Sequence, residues 1–168
     1  MTELADVEKM GEEEFVAIFG PLFEHSPWVA QEARRRRPFD GRGALHAAFE
    51  DAMRSAPRER QLALIRAHPE LAGREAEEGE LTEESGREQA SAGLDRLSPT
   101  EHARLKELNR RYGERFGFPM IVCVREHTKD SILAWGSARL ERSSDEELAT
   151  ALGEIAKIAD LRLEDLLR

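Results

Sequence analysis

The sequence predicts an all-α protein, and three features carry that prediction. Alanine, leucine, glutamate and arginine, all strong helix formers, dominate the 168 residues, whereas aromatic residues make up only 6%. Helix-start signals recur along the chain, and apolar residues repeat at helical spacing. We therefore expect a compact single-domain bundle of about eight helices over residues 1–168.

Proline, glycine and capping residues divide the first half of the chain into four predicted helices. The first covers residues 12–19 and ends near Gly20, and the second begins at Ser26, an N-cap followed by Pro27. We expect a glycine-containing separator at residues 41–43 and a new helix start at residues 55–57. The apolar residues of the last three helices are Trp28, Val29 and Ala33, then Leu45, Phe49 and Met53, then Leu62 and Ile65.

The second half has a charged segment, residues 73–80, that we expect to be a loop before a helix capped by Thr82 and running to about Leu94. Capping boxes are predicted at Ser98 with Glu101 and at residues 144 with 147. We expect the Ser98 helix to end near residues 113–117. The last helix carries an apolar stripe at Leu148, Leu152, Ile155 and Ala159.

One apolar run, residues 120–124 after Pro119, fits either a buried strand or a buried helical segment. The rest of the chain offers it no partner strand. We therefore expect a helix or a buried extended segment here, and the fold class stays all-α.

Composition excludes several classes of protein. The net charge of -9 argues against a nucleic-acid binder. The single cysteine, Cys123, cannot form an intramolecular disulfide and suits a reducing compartment. No stretch approaches the length of a membrane span, residues 1–10 are too acidic for a secretory signal, and the chain ends in Leu-Leu-Arg rather than a peroxisomal signal. We expect a cytoplasmic protein that binds neither nucleic acid nor membranes.

His68 is the first candidate for chemistry. It precedes Pro69, which disfavours helical conformation at the preceding residue, so His68 is expected to mark a helix end on the apolar side of Ile65. An imidazole, with a reference pKa near 6.5, suits proton transfer at neutral pH. The alternative is a structural histidine beneath a loop, which the position alone favours.

The second candidate is one face of the helix capped by Thr82. Ser85, Glu88 and Gln89 share that face by their spacing, and the small residues around them would let a ligand approach. The alternative is an exposed polar stripe. Near the chain end Arg162 lies between two leucines, where it would clamp a carboxylate, cap a helix C-terminus, or pair with Glu164 or Asp165.

Other motifs give less. His25, His46, His102 and His127 share no metal-ligand spacing with one another or with Cys123. The sequence contains no zinc, phosphate-loop or serine-hydrolase motif, so a metalloenzyme, a nucleotide binder and a serine hydrolase each lack their usual signature. The basic run over residues 34–37 is expected to be a solvated helix face, with an anion or nucleic-acid contact as a minor alternative.

Taken in order, several segments resemble one family, the OHCU decarboxylases (2-oxo-4-hydroxy-4-carboxy-5-ureidoimidazoline decarboxylases). The matching segments span nearly the whole chain: residues 23–29, 37–39, 68–73, 85–89, 91–94, Asn109, Tyr112, 115–119 and 154–163. One departure is Glu70, where the family usually has aspartate. Met120 and Cys123 vary a hydrophobic stretch.

The resemblance implies a carboxy-lyase of urate degradation that uses no metal and no organic cofactor and is usually a homodimer. Its small-molecule ureidoimidazoline substrate yields (S)-allantoin. It implies His68, Glu88 and Arg162 as the catalytic residues. The substrate contacts it implies are Pro69, Ser85, Gly86, Arg87, Glu88, Gln89, Met120, Ile121, Val122, Cys123 and Val124, the last five largely through their backbone.

In this hypothesis the substrate's own carbon–nitrogen double bond accepts the electron pair left by CO2, so no cofactor is needed. The His68 imidazolium protonates the new carbanionic carbon, Glu88 supports His68 or the substrate, Arg162 binds anionic or carbonyl oxygen, and Gln89 with the backbone near residues 120–124 recognises the ureido and ring amides. The alternatives are a cofactor-free lyase or hydrolase acting on another ureide, and a non-enzymatic helical binding module.

Overall fold

A computed structural model describes residues 2–167, and within that range the chain is helical with no strand. It contains ten α-helices, eight of them with seven residues or more, and two short 3-10 helices. These observations confirm the all-α class and the predicted number of substantial helices. Met1 and Arg168, which lie at the ends of the segments considered as targeting signals, are outside the described residues.

The helices follow one another through short connections. Their bounds are α1 Leu4–Val7, α2 Glu12–Phe19, α3 Trp28–Arg34, α4 Gly41–Arg54, α5 Arg58–Arg66, α6 Arg74–Glu77, α7 Glu83–Ser91, α8 Pro99–Phe116, α9 Lys129–Arg139 and α10 Ser144–Leu166. The 3-10 helices are Gly20–Leu22 and Val124–Glu126.

Contacts along the chain group the residues into two units. The first comprises residues 1–67 and 155–168, with α1 to α5 and the second half of α10. The second comprises residues 68–154, with α6 to α9 and the first half of α10. The expectation of a single domain over residues 1–168 stays a prediction.

The core of the first unit is a cluster of phenylalanines. Phe15 and Phe19 lie with ring centroids 4.7 Å apart, and Phe23 lies 5.6 Å from Phe49. All four rings are at most 1% exposed. Aromatic pairs at such distances add to the stabilisation that comes from burial of their area, so α2, the following turn and α4 are tied together.

The basic run over residues 34–37 is used mainly within this unit. Arg34 donates to the carbonyl oxygen of Met10 at 3.2 Å, and Arg37 donates to the carbonyl oxygen of Glu8 at 3.1 Å. Arg36 donates to the carbonyl oxygen of Glu32 at 2.7 Å. Three of the four arginines therefore bind backbone of their own unit, while Arg35 and Arg36 are exposed, in agreement with the predicted solvated face.

In the second unit α8 supplies the central buried surface. Tyr112 is fully buried and its ring lies 4.6 Å from Phe116 and 6.0 Å from Phe118. Gly136 on α9 allows a close approach, since a Cβ atom there would lie 2.6 Å from Leu108 and 2.8 Å from the Met120 sulfur. The missing side chain lets α9 pack against α8 and against the apolar segment over residues 120–124.

Several predicted helix starts are confirmed and others are displaced. Thr82 caps α7 by accepting from the Ser85 N–H at 3.3 Å, and the Ser98–Glu101 capping box opens α8. The box predicted at residues 144 and 147 is wrong by one residue, because Ser143 and Glu146 exchange the two bonds. Glu147 forms a buried ion pair with Arg139 instead.

Three local expectations are corrected. Ser26 does not cap α3, because its hydroxyl donates to the carbonyl oxygen of Glu24 at 2.8 Å. The glycines at residues 41 and 43 lie in the first turn of α4 and do not separate helices. The segment 73–80 includes the one-turn helix α6.

The helix α9 was not assigned from the sequence. It begins with a capping box between Thr128 and Ser131 and buries Ile132 and Leu133. Tryptophan, serine and glycine within it are weak helix formers, which masks the apolar spacing. No helix among residues 2–167 is both long and apolar enough to cross a membrane.

Candidate active site

His68 lies just beyond the end of α5, as the following proline predicted. The helix ends at Arg66, Ala67 is its C-cap, and His68 begins an irregular turn. The imidazole residue is buried, with 8% of its surface exposed, while Pro69 is half-buried. Its environment is therefore largely shielded from water.

The turn over residues 68–73, which we call the His68 turn, has a sterically constrained backbone. Ala72 has a φ of 47°, in the left-handed region that non-glycine residues rarely adopt. Gly73 packs so closely that an added Cβ atom would lie 2.5 Å from the Cβ atom of Glu70. This turn needs support from its surroundings to keep its shape.

Gln89 on α7 provides part of that support. Its Oε1 atom accepts from the Ala72 N–H at 2.9 Å, and its Nε2 atom donates to the carbonyl oxygen of Glu70 at 3.5 Å. Gln89 and Ser85 are both 6% exposed. Two of the three polar side chains predicted to share a face are therefore buried, and for these two the alternative of an exposed polar stripe is wrong.

The other members of the α7 segment differ in exposure. Gly86 and Glu88 are half-buried, whereas Arg87 is exposed. Because Arg87 lies on a different side of the helix from Ser85 and Gln89, it does not share their buried environment. The predicted contact segment of residues 85–89 is thus unequally exposed.

Asn109 on α8 holds the same turn from a second helix. Its Nδ2 atom donates to the carbonyl oxygen of Leu71 at 3.0 Å. Asn109 is 6% exposed, and its buried Oδ1 atom accepts no hydrogen bond within the described part of the chain. Sequence reasoning used Asn109 only as part of a family resemblance and gave it no role.

Glu70 is the one acid of the His68 turn. Its partial burial, and then repulsion from Glu75, raise the pKa of its carboxyl above the ordinary value of 4.5. Removal of solvent disfavours the charged form of an acid, and a neighbouring negative charge acts in the same direction. The turn therefore favours a protonated Glu70 more than water does.

The segment over residues 120–124 is a buried irregular segment that leads into a 3-10 helix. Of the two alternatives that the sequence left open, a helix and a buried extended segment, the structure shows the second. All five residues are at most 5% exposed. The Cys123 N–H donates to Oε1 of Glu154 at 3.1 Å, and the carbonyl oxygen of Ile121 accepts from Nη1 of Arg139 at 2.6 Å. Side chains from α9 and α10 thus fix the backbone of a segment that has no regular pattern of backbone hydrogen bonds.

Arg139, which binds the carbonyl oxygen of Ile121, belongs to a buried ionic cluster. Arg139 donates through Nε to Oε1 of Glu147 at 2.6 Å, and Tyr112 donates to the same oxygen at 2.6 Å. Both members of the ion pair are fully buried. Burial and the hydrogen bond to Glu147 raise the pKa of Tyr112 well above its usual range. Sequence reasoning missed this cluster, because its members are far apart along the chain.

The backbone of Val122 lies between these two anchored residues. Neither its N–H nor its C=O forms a hydrogen bond with another group in the described range, and the residue is 3% exposed. Backbone groups of a residue with so little exposed surface usually have hydrogen-bond partners. Those of Val122 are suited to a ligand that carries amide groups.

Arg162 belongs to the first unit and lies in the second half of α10. Its Nη2 atom is 3.2 Å from Oε1 of Glu24, and its Nη1 atom donates to the carbonyl oxygen of Leu22 at 3.4 Å. Arg162 is 7% exposed and Glu24 is 3% exposed. Glu24, which the sequence did not suggest, is therefore a partner of Arg162, and the predicted partners Glu164 and Asp165 are exposed residues.

Among residues 2–167, no group of three or more histidine, cysteine, aspartate or glutamate side chains is arranged to hold a metal ion. The functional groups that the described residues do offer are an imidazole, carboxyls, amides, a guanidinium and backbone donors. These groups are suited to proton transfer and to binding of anions and amides.

A family model described as OHCU decarboxylase matches residues 8–164. The chain belongs to the OHCU decarboxylase family. The match includes the His68 turn, the α7 face, the segment over residues 120–124 and Arg162. The family resemblance inferred from the sequence is therefore confirmed.

Relatives of known name agree with this assignment. A 2-oxo-4-hydroxy-4-carboxy-5-ureidoimidazoline decarboxylase from Haloferax volcanii is 43% identical over 162 residues, which are 96% of this chain and 94% of the relative. The protein of the same name from Mus musculus is 41% identical over 165 residues, or 98% of this chain and 93% of the relative.

The fold of this chain is similar to that of two proteins whose crystal structures are known. An (S)-allantoin synthase matches with a TM-score of 0.77 and 26% identity over 99% of this chain, which spans about half (54%) of that longer chain. An OHCU decarboxylase crystallised in the presence of (S)-allantoin matches with a TM-score of 0.71 and 22% identity, over 94% of this chain and 98% of that chain. The second likeness supports the fold.

Proposed function

We propose that this protein is a carboxy-lyase that converts 2-oxo-4-hydroxy-4-carboxy-5-ureidoimidazoline to (S)-allantoin in urate degradation. The observation that carries the proposal is a buried histidine, 8% exposed, in a turn that two helices hold by hydrogen bonds. Membership of the family adds the substrate and the product, both named in the proteins described above.

The chemistry needs little from the protein beyond binding and one directed proton. The carbon–carbon bond to the carboxylate breaks, CO2 leaves, and the electron pair moves into the ring toward the neighbouring carbon–nitrogen double bond, whose nitrogen takes up a proton. The resulting enol loses its hydroxyl proton as a carbonyl forms, and the carbon bearing the ureido group gains one. The carboxylate form consumes one proton overall, and the protein need supply no electron sink.

His68 is the general acid in this proposal. In its imidazolium form it delivers the proton to one face of the ring carbon, which sets the handedness of the product. Pro69 and the rest of the His68 turn fix the direction of the imidazole. A buried imidazole in a supported turn suits this role, because general acid catalysis depends on a donor held within hydrogen-bond reach.

Glu88 and Arg162 supply opposite charges in the proposal. The Glu88 carboxylate stabilises the imidazolium form of His68 or orients the substrate. Arg162 binds carboxylate or carbonyl oxygen of the substrate through a guanidinium whose other contacts include Glu24 and the carbonyl oxygen of Leu22. A guanidinium that is already oriented loses little freedom when it binds an anion.

The amide groups of the substrate are recognised by polar groups of the second unit. We assign this role to the face of α7 that carries Ser85 and Gln89, together with Gly86, and to the backbone of the segment over residues 120–124. The Val122 backbone offers an N–H donor and a C=O acceptor that form no hydrogen bond within the described residues, and these match the C=O and N–H groups of a ureide. Arg87 is a weaker candidate for direct contact because it is exposed.

We further propose that the protein works as a cytoplasmic homodimer without a cofactor, folds as a single domain, and binds neither nucleic acid nor membranes. The net charge of -9 supports the last two exclusions. The molar mass of the purified protein, measured by light scattering, tests the homodimer. A single cooperative unfolding transition would support the single domain.

The proposed function is tested with the full chain in a coupled assay. Urate oxidase and hydroxyisourate hydrolase generate the substrate from urate, no metal is added, and circular dichroism follows the product. Rapid appearance of optically active (S)-allantoin supports the proposal. Racemic product at the rate of the protein-free blank contradicts it, as does turnover of a different ureide in preference to this one.

A further inference from the structure

Two amide side chains bind one backbone group from each of three successive residues of the His68 turn. Gln89 accepts from the Ala72 N–H at 2.9 Å and donates to the carbonyl oxygen of Glu70 at 3.5 Å, while Asn109 donates to the carbonyl oxygen of Leu71 at 3.0 Å. We call these two side chains the amide clamp. They come from different helices, α7 and α8, and both are 6% exposed.

The backbone of the turn explains why a clamp is needed. A left-handed conformation at a non-glycine residue costs roughly 1–2 kcal/mol, and Ala72 has a φ of 47°. The turn is also irregular: its Glu70 carbonyl oxygen accepts from the Gly73 N–H at 3.3 Å, but no backbone group binds the Leu71 carbonyl or the Ala72 N–H within the described residues. The two side chains therefore supply, at Leu71 and Ala72, the hydrogen bonds that regular structure would supply.

Stability alone gives a poor account of Asn109. Only its Nδ2 atom is bonded, and its buried Oδ1 atom accepts no hydrogen bond in the described range. An unsatisfied buried acceptor offsets much of what one hydrogen bond contributes, so a leucine of similar size would be about as favourable for folding. What leucine lacks is the donor that fixes the direction of the Leu71 carbonyl.

We propose that Asn109 is a positioning residue for the decarboxylation: it fixes the His68 turn and thereby aims the His68 imidazole at the substrate. This inference rests on the proposed function, in which His68 is the proton donor. Asn109 itself acts only through the turn. Its loss is expected to reduce turnover and stereochemical control and to leave substrate affinity unchanged.

Of the two residues of the amide clamp, Asn109 is the better one to substitute in a test. Gln89 is also a candidate substrate contact, so its substitution would change binding and positioning together. Asn109 has no proposed contact with substrate. A matched control exists in the first unit, where the Nε2 atom of Gln61 donates to the carbonyl oxygens of Met53 and Arg54, both at 3.1 Å.

The experiment compares the wild type with N109L and with the control Q61L. For N109L we expect kcat to fall by about 10- to 100-fold, KM to change by less than about twofold, and the enantiomeric excess of allantoin to drop. Q61L should keep the wild-type values of all three. N109S, which is too small to overpack and too short to reach Leu71, serves as a second variant if N109L fails to fold.

A structural readout separates this inference from the proposed function. Hydrogen exchange of the Ala72 amide, followed by NMR, should be at least about tenfold faster in N109L or N109S and unchanged in Q61L. Unchanged exchange, or an Asn109 variant with wild-type kcat and enantiomeric excess, overturns the positioning role. If the wild-type protein does not decarboxylate the substrate, the proposed function fails, and the Ala72 exchange alone decides whether the clamp holds the turn.

Discussion

Arg162 and Glu24 form a buried ion pair, with Nη2 and Oε1 3.2 Å apart and side chains that are 6% and 2% exposed. A buried charge whose partner is removed is left uncompensated in a medium that solvates it poorly. The pair therefore joins the last helix of the chain to the turn that follows α2, and it orients the guanidinium that we assign to substrate binding.

The first prediction concerns this pair. We expect E24Q to lower the free energy of unfolding by about 3–5 kcal/mol, because it removes the charge of one member of a buried ion pair. The control is D160N on the same helix, whose partner Arg42 is half-exposed; an exposed pair of this kind contributes about 0–1 kcal/mol. Urea denaturation of both variants gives the comparison, and equal losses would contradict a specific role for Glu24.

The second prediction concerns the backbone of the His68 turn. Because Ala72 has a φ of 47°, A72G should relieve strain and stabilise the protein by about 1 kcal/mol. The same substitution at Ala63, an exposed position within α5, should instead destabilise by about 1 kcal/mol. Opposite signs in chemical denaturation are the expected result, and a loss in both variants would mean that the left-handed conformation is not strained.

The third prediction concerns the buried cluster behind the segment over residues 120–124. E147Q should destabilise by about 3–5 kcal/mol, because Arg139 would keep its charge without a countercharge. Y112F removes one hydrogen bond to Glu147 and should cost about 1–2 kcal/mol. E114Q, at an exposed surface pair with Arg110, is the control and should cost less than about 1 kcal/mol. A small effect of E147Q would refute the cluster as the support of this segment.

The fourth prediction follows from the raised pKa of Glu70. A folded carboxyl with a raised pKa holds its proton more tightly than the unfolded one, so it stabilises the fold below the ordinary value of 4.5 and this contribution is lost as the pH rises through the folded pKa. Between about pH 4 and about pH 7 the wild type should thus lose more stability than E70Q does.

The comparison is made by thermal denaturation at both pH values. E80Q provides the control, because it makes the same change in charge at an exposed carboxylate. If E70Q and the wild type change in parallel with pH, Glu70 does not carry the raised pKa assigned to it.

Local signals in the sequence were sufficient for most of the helical framework. Proline at residue 69 located the end of α5, and Ser98 with Glu101 located the start of α8, because capping and proline sterics act within a few residues. The same signals were ambiguous where two serines adjoin, which placed the last capping box at residues 144 and 147 instead of 143 and 146.

Long-range partnerships could not be predicted in this way. Glu24 and Arg162 are separated by 138 positions, and Asn109 and Leu71 by 38. No periodicity connects such residues, since their contact depends on how helices pack. Family resemblance pointed to His68 and Arg162, yet it did not reveal Glu24 as a partner or the Asn109 contact with the His68 turn.

The central claim is that His68 delivers the proton that sets the product's handedness. The most direct measurement is the enantiomeric excess of allantoin, together with kcat, for H68N beside the surface control H102N in the coupled assay. We expect H68N to lose about 10²–10⁴-fold in kcat and to yield nearly racemic allantoin, while H102N retains wild-type rate and (S) product. Fast, stereospecific turnover by H68N would contradict the account.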